Sequence, residues 1–266
     1  MPPRAQALPS SAQAVLAPLR VLFGIYAALL FLNLGLSALL ALLLVPGLAR
    51  RRTVARVISR AFLGCAAMPI TVENAERIPA TQCVVVANHA SYLDGVVFTA
   101  ALPPRFGFVV KREMNDVPLA GLLLRKLGSE FVERFNRNRG AADARRVLRN
   151  AANGNSLVFF PEGTFTKTPG LLKFHTGAFA IAVRAGCPIV PAVVRGTRRA
   201  LSPLGGLPRA AHIKITILPP LMPPSSSEGA ATELRDRARQ AILRELGEPD
   251  LTCSDDTVRP PDRALG

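Results

Sequence analysis

The chain has 266 residues, enough for one sizeable domain with short attachments, and 49% of them are hydrophobic. Its mean hydropathy of +0.27 is high for a soluble domain. The formal net charge of +15 favours an anionic partner, such as a phosphorylated substrate or an anionic membrane surface. Nucleic acid is a poor candidate, because the chain has no tryptophan, two tyrosines and no motif that reads bases. The four cysteines lie far apart without a CxxC pair, and we interpret them as reduced core residues.

The N-terminal part contains a run without charge, from Val21 to Leu48. A bilayer core requires about 20 apolar residues in a helix, so this run is long enough to span it. The alternative is a re-entrant or monotopic hairpin that bends at residues 33–35. Two arginines precede the run and five follow it up to residue 60, so the positive-inside rule places the following chain in the cytoplasm. We therefore predict a tail and membrane anchor over residues 1–52, in the cytoplasmic (inner) membrane.

Residues 53–68 form an amphipathic pattern. Val54, Ile58 and Phe62 recur at helical spacing, and Arg56 and Arg60 lie on another face. This pattern is typical of a helix in the membrane interface near anionic headgroups. An ordinary amphipathic helix packed on a protein core would show the same spacing.

Beyond the anchor, β-rich apolar runs alternate with helical patterns. The runs cover residues 70–73, 82–87, 106–110, 156–160, 188–195 and 212–218. Helical patterns follow at 141–152, within 170–185 and at 225–246. The alternation predicts an α/β domain over residues 53–247, with a mixed or largely parallel sheet flanked by helices. Ligands of such sheets bind beyond the carboxyl ends of the strands. Residues 248–266 are polar and contain proline, and we predict that they form a disordered tail.

The first polar turn at a strand end contains His89, with Asp94 five residues later. Positions i and i+5 lie about 140° apart on a helix, so the two side chains do not share one helical face. They meet if His89 lies in the loop after the strand and Asp94 in the first turn of the next helix. The carboxylate then binds one imidazole nitrogen and leaves the other to take a proton from a substrate hydroxyl. A histidine that only caps a helix or binds backbone is the alternative.

The second polar turn follows the run at 156–160 and reads Phe160-Pro161-Glu162-Gly163-Thr164, with Lys167 shortly after. Pro161 ends the strand, and Gly163 allows a close approach of backbone. Two strand ends therefore each present a polar turn, although the second is also compatible with a plain Pro-Gly turn.

The ordered set of motifs resembles the glycerolipid acyltransferase family, whose type is the bacterial lysophosphatidate (1-acyl-sn-glycerol-3-phosphate) acyltransferase. The resemblance covers about residues 70–218, behind an N-terminal membrane segment as in the family. The matching motifs are Asn88-His89-x4-Asp94, Val110-Lys111-Arg112-Glu113, Gly128-x-x-Phe131-x-x-Arg134, Phe160-Pro161-Glu162-Gly163-Thr164 and Ile189-Val190-Pro191.

The resemblance implies acyl transfer from an acyl thioester, of coenzyme A or acyl carrier protein, to the sn-2 hydroxyl of lysophosphatidate in the bilayer. His89 would be the general base, oriented by Asp94. Backbone N–H groups after His89 or in the 161–164 turn, or Lys111, would stabilise the oxyanion. The acceptor phosphate would bind Arg134 and Lys167, and Glu162, with Gly163 and Thr164 in the same turn, would bind the glycerol portion or brace the site. The implied reaction needs no cofactor, and the three histidines show no metal-ligand spacing.

One position departs from the family pattern. The family continues Glu-Gly-Thr-Arg, and Phe165 stands where that arginine would bind phosphate. Lys167 can supply the charge, but only as a point charge without the bidentate fork of arginine. The other reading is a different acceptor, such as another lysophospholipid or an amino-acid lipid. A non-catalytic membrane lipid-binding protein on the same scaffold is a further alternative, which the complete set of polar residues in the two turns disfavours.

Overall fold

The computed structural model describes residues 10–133, 137–152, 154–202, 206–224 and 228–252. Seven strands of this part of the chain form one sheet in the order β1-β7-β6-β2-β5-β3-β4. All neighbours pair in parallel except β6 and β7, which are antiparallel. The predicted mixed, largely parallel sheet is thus confirmed. The strands are β1 (Ile70–Glu73), β2 (Val84–Ala87), β3 (Phe106–Lys111), β4 (Glu130–Val132), β5 (Ser156–Phe159), β6 (Ile189–Arg195) and β7 (Ile213–Ile217).

Helices cover both faces of the sheet because successive side chains of a strand point to opposite faces. Val85 of β2 lies in the core beneath the first three helices, whereas Val84 and Val86 face the sixth and eighth helices. Both sets are fully buried, so the central strands read as continuous apolar runs. The helices are α1 (Ser10–Leu44), α2 (Leu48–Cys65), α3 (Asp94–Ala101), α4 (Ala120–Lys126), α5 (Arg137–Ala152), α6 (Gly177–Ala185), α7 (Thr197–Ala200) and α8 (Ala230–Leu246).

Strand β4 was absent from the predicted elements. It has three residues, and all of them are half-buried. It lies at the sheet edge and pairs only with β3 among the described strands. A segment this short carries no measurable alternation, so only the tertiary pairing defines it as a strand.

Helix α1 runs without a break through residues 33–35, so the predicted alternative of a hairpin bend at that point is wrong. The chain turns instead at Val45–Gly47, where Gly47 has a φ of +82°. The arginines at positions 50–52 therefore belong to α2, and the predicted boundary between residues 52 and 53 falls inside that helix. Arg52 donates hydrogen bonds to the carbonyls of Leu127, Arg105 and Gly128, which fastens α2 to the domain.

Residues 17–44 of α1 are apolar enough, with a mean hydropathy of 2.4, and long enough to cross a membrane. One side of the helix packs on the domain, where Ala27 and Leu42 are fully buried. The other side exposes large apolar side chains, and only 22% of the most apolar stretch is buried inside the protein. The exposed set includes Leu22, Leu29, Leu32, Leu36 and Leu40. Such a continuous apolar surface indicates membrane association.

The packed chain continues past the predicted end of the domain. Asp250 forms a parallel bridge with Leu171, and Arg239 of α8 binds the carboxylate of Asp250. Residues 248–251 are therefore part of the domain and not of a tail, because they form hydrogen bonds with distant residues. The rest of the predicted tail lies outside the described residues.

Candidate active site

The two polar turns lie side by side at the carboxyl ends of the central strands. β2 is the central strand and pairs in parallel with β5, so the carboxyl ends of both strands lie next to each other. His89 follows β2, and Glu162 follows β5. The backbone N–H of His89 donates to Glu162 Oε1 at 2.6 Å, which joins the turns directly.

The hydrogen bond that the i, i+5 spacing predicts between His89 and Asp94 is present. His89 Nδ1 lies 2.7 Å from Asp94 Oδ2, with Asp94 at the first position of α3. The same oxygen accepts the backbone N–H groups of Ala90 and Ser91, at 2.7 and 3.0 Å. Asp94 is fully buried, and three donors converge on one of its oxygens. The carboxylate therefore fixes the loop, and it fixes the imidazole orientation with the proton on Nδ1 and the Nε2 lone pair available.

Asn88 holds the loop from the other side. Its amide group donates to the carbonyl of Val194 at 3.0 Å and accepts the N–H of Val194 at 2.8 Å. Val194 belongs to β6, so this side chain continues the β2–β6 pairing one residue beyond the end of β2. Its two hydrogen bonds explain why a buried asparagine directly precedes His89.

Glu162 braces the backbone. One oxygen accepts the N–H of His89, and the other accepts the N–H of Leu172 at 2.8 Å. The side chain is only 4% exposed. Of the two predicted roles, bracing the site is therefore the one that the geometry supports, since both oxygens already have partners. Burial raises the pKa of Glu162 to about 7, against the two backbone hydrogen bonds, which lower it.

Aromatic rings surround the imidazole. The ring of His89 stacks on Phe160 with centroids 4.5 Å apart and meets the edge of Phe165 at 4.6 Å. Phe165 also contacts Tyr92 edge-on at 4.8 Å. The position where the family has a phosphate-binding arginine is therefore part of an apolar wall beside the histidine.

The remaining predicted residues are less closely assembled. Lys111 is exposed at the end of β3, which is separated from β2 by β5. Thr164 and Lys167 are exposed, and Gly163 forms the turn with a φ of +77°, where a side chain would be strained. Arg134 lies outside the described residues.

The N–H groups that directly follow β2 are already engaged. Those of His89, Ala90 and Ser91 donate to Glu162 and Asp94, so these three groups are not available to an oxyanion. The predicted donors that stay available are the N–H groups at the start of α3, the turn at Thr164 and the side chain of Lys111.

Two arginines near the site were not predicted as functional. Arg198 of α7 donates to the carbonyls of Thr166 and Thr168, at 2.6 and 3.1 Å, in the loop that carries Phe165. Arg239 of α8 donates to the carbonyls of Leu171 and Leu172. Nothing in the local sequence distinguishes them from surface arginines, because their partners are about 30 and 70 residues away.

The site and the fold define a membrane-associated α/β protein with a histidine–carboxylate pair beyond its central strand. A family model described as "Acyltransferase" matches residues 69–195. The chain is 32% identical over 197 residues to the lyso-ornithine lipid O-acyltransferase of Pseudomonas aeruginosa, covering 67% of this chain and 73% of that protein. It is 28% identical over 198 residues to the 1-acyl-sn-glycerol-3-phosphate acyltransferase of Saccharomyces cerevisiae, covering 73% of this chain and 65% of that one.

The fold is also similar to that of an acyltransferase whose crystal structure is known. The 1-acyl-sn-glycerophosphate (LPA) acyltransferase PlsC from Thermotoga maritima superimposes with a TM-score of 0.69 at 25% identity, covering 88% of this chain and 96% of that one. The chain therefore belongs to the glycerolipid acyltransferase family. It spans just under two thirds of the yeast relative, and half of a chloroplast relative from Brassica napus.

Proposed function

We propose that this protein transfers a fatty acyl group from an acyl thioester to the sn-2 hydroxyl of lysophosphatidate, which gives phosphatidate. The observation that carries the proposal is the His89–Asp94 hydrogen bond at the carboxyl edge of the central strand. Relatives named as 1-acyl-sn-glycerol-3-phosphate acyltransferases support the choice of acceptor.

In the proposed reaction, His89 Nε2 takes the proton of the acceptor hydroxyl as its oxygen attacks the thioester carbonyl. The imidazolium that forms is stabilised by the buried carboxylate of Asp94, 2.7 Å from Nδ1. Collapse of the tetrahedral intermediate forms the ester and breaks the carbon–sulfur bond. His89 then returns its proton to the leaving thiolate of coenzyme A or acyl carrier protein. The developing oxyanion would be met by N–H groups at the start of α3, by the turn at Thr164 or by Lys111.

A second acceptor class has specific support. Phe165 packs between the His89 and Tyr92 rings, where the family pattern has arginine. An apolar ring binds an acceptor phosphate less well than a guanidinium does, and Lys167 offers only a point charge. The relative from Pseudomonas aeruginosa is named as an acyltransferase for lyso-ornithine lipid. The alternative acceptor is therefore a lyso-form of an amino-acid lipid, acylated by the same chemistry.

The membrane arrangement follows from α1 and α2. The exposed apolar side of α1 would insert into the bilayer, which supplies the acceptor and receives the product. Arg50 and Arg60, which are exposed on α2, would lie near anionic headgroups. We infer that the catalytic domain lies on the cytoplasmic side of the inner membrane, which the excess of arginines after α1 favours.

The test is thiol release from acyl-coenzyme A and acyl carrier protein by membranes that contain the protein, with a panel of lysolipid acceptors. We expect release that depends on lysophosphatidate and is lost in His89→Ala. His212→Ala is the matched control, because this exposed histidine binds only Thr71 among the described contacts. If a folded preparation shows no His89-dependent thiol release with either donor and any acceptor of the panel, this result would contradict the enzyme proposal and favour the lipid-binding alternative.

The acceptor is resolved by the same panel with Phe165→Arg. If lysophosphatidate is the acceptor, the arginine should lower its KM, since it restores a bidentate phosphate ligand. If activity requires lyso-ornithine lipid, the arginine should reduce that activity and increase the preference for lysophosphatidate. An unchanged acceptor preference would show that Phe165 does not determine which acceptor is used.

A further inference from the structure

Residues 248–251 pair with the segment that follows the Glu162 turn. Leu171 donates its N–H to Pro249 at 2.9 Å, and Leu251 donates its N–H to Leu171 at 3.1 Å. The N–H of Gly170 donates to Glu248 Oε2 at 2.7 Å. These contacts join positions nearly 80 residues apart and form a short parallel bridge.

Arg239 of α8 locks this bridge. Its guanidinium donates to the carbonyls of Leu171 and Leu172, each at 3.0 Å, and to both oxygens of Asp250 at 2.5 and 2.9 Å. The hydrogen bond from Arg239 holds the pKa of Asp250 well below its usual range. The Arg239 side chain is 13% exposed and the Asp250 side chain is 32% exposed, so the guanidinium is the better shielded partner. One planar cation therefore ties α8, the segment 170–172 and the C-terminal segment together.

A second arginine holds the middle of the same loop. Arg198 donates to the carbonyls of Thr166 and Thr168 and lies 3.6 Å from Glu248. Glu248 also accepts the N–H of Gly170, so it links Arg198 to the backbone of this loop. The loop 163–172 is thus fixed from outside by α7, α8 and residues 248–251.

This network ends on the active site. Leu172, held by Arg239, donates its N–H to Glu162 Oε2, and Glu162 Oε1 accepts the N–H of His89. Four consecutive hydrogen-bond contacts therefore connect Asp250 to the proposed base: Asp250 to Arg239, Arg239 to Leu172, Leu172 to Glu162, and Glu162 to His89. We propose that the C-terminal segment 248–251 and Arg239 form a clamp whose positioning residues, Asp250 and Arg239, set the backbone position of His89 through Glu162. The inference rests on the proposed role of His89, but the geometry of the clamp does not depend on the substrate.

Two charged groups also face Glu162. The carboxylate of Asp94 raises the pKa of Glu162, and Arg198 lowers it, both by Coulomb interaction. The N–H of Leu172 stabilises the charged form. If the clamp loosens and this N–H is withdrawn, the pKa of Glu162 is expected to rise further.

The first test is Asp250→Asn in the full chain, measured by hydrogen–deuterium exchange of peptides that cover residues 88–93 and 170–176. The clamp predicts faster exchange in both peptides. Asp236→Asn is the matched control, because this exposed carboxylate on α8 pairs only with Arg235 among the described residues. Unchanged exchange at residues 88–93 would overturn the proposal, whether or not any acceptor is found. If Asp250→Asn does not fold, Glu248→Gln provides the same readout with a smaller perturbation.

The second test is a kinetic double-mutant cycle. Asp250→Asn is expected to lower kcat about tenfold, because it displaces the base. Glu162→Gln cuts the path, so Asp250→Asn should add little to its effect. Asp250→Glu should restore part of kcat. Fully additive losses in the double variant would contradict transmission through Glu162, even with acyl transfer established.

Discussion

The most direct test of the proposed chemistry is Asp94→Asn. Asparagine has nearly the same shape, and its side-chain oxygen can accept the three N–H groups that Asp94 Oδ2 accepts. The loop and the ring orientation should therefore persist. What disappears is the negative charge beside Nδ1, which stabilises the imidazolium during proton transfer. The variant thus separates charge from geometry.

The magnitude follows from the contact. Two unit charges at about 4 Å attract by roughly 4 kcal/mol at the effective dielectric constant of partly shielded sites. Asp94 is fully buried and the His89 side chain is 19% exposed, so solvent screens the pair only in part. Each factor of ten in rate corresponds to about 1.4 kcal/mol, so kcat should fall by about 100- to 1,000-fold. KM should change little.

The assay is steady-state thiol release with the acceptor found active in the panel. The melting temperature of Asp94→Asn confirms that the variant is folded. Asp116→Asn, on an exposed loop, is the matched control and should keep wild-type kcat. A kcat within tenfold of wild type in a folded Asp94→Asn preparation would refute the proposed role of the carboxylate charge.

Three further changes test the structure around the site. Burial raises the pKa of Glu162 from 4.5 to about 7, so ionisation of this carboxyl group destabilises the folded state. As the pH rises from about 4.5 to 7, wild type should lose up to about 3 kcal/mol of stability relative to Glu162→Gln; a stability difference that stays constant with pH would contradict the buried carboxylate. Gly170 has a φ of +146°, and a Cβ there would overlap Leu251, so Gly170→Ala should cost about 1–3 kcal/mol in thermal unfolding. Leu251→Ala should recover part of that loss, and failure to do so would place the strain elsewhere. Arg52→Met removes three hydrogen bonds to backbone carbonyls and should cost about 1–3 kcal/mol, with Arg50→Met as the control; equal melting temperatures for the two variants would disprove its fastening role.

The active-site pair and the sheet could be read from the sequence because both depend on local patterns. Alternating apolar runs and helical spacing indicate an α/β domain, and six of the seven described strands were predicted within about two residues. His89 and Asp94 are only five positions apart, so the local geometry of strand, loop and helix determines their contact. The apolar run of α1 likewise indicated a membrane element by length and composition alone.

The tertiary structure decided what the polar residues of the second turn do. Glu162 joins His89 to Leu172 across the sheet edge, 73 positions from the first partner and 10 from the second, and no local pattern encodes such a pairing. Residues 248–251 are polar like a disordered tail, yet their backbone pairs with a distant segment. A polar composition indicates that ordering this segment costs conformational entropy. It does not indicate the hydrogen bonds that offset this cost, because their partners become neighbours only when the sheet and α8 assemble.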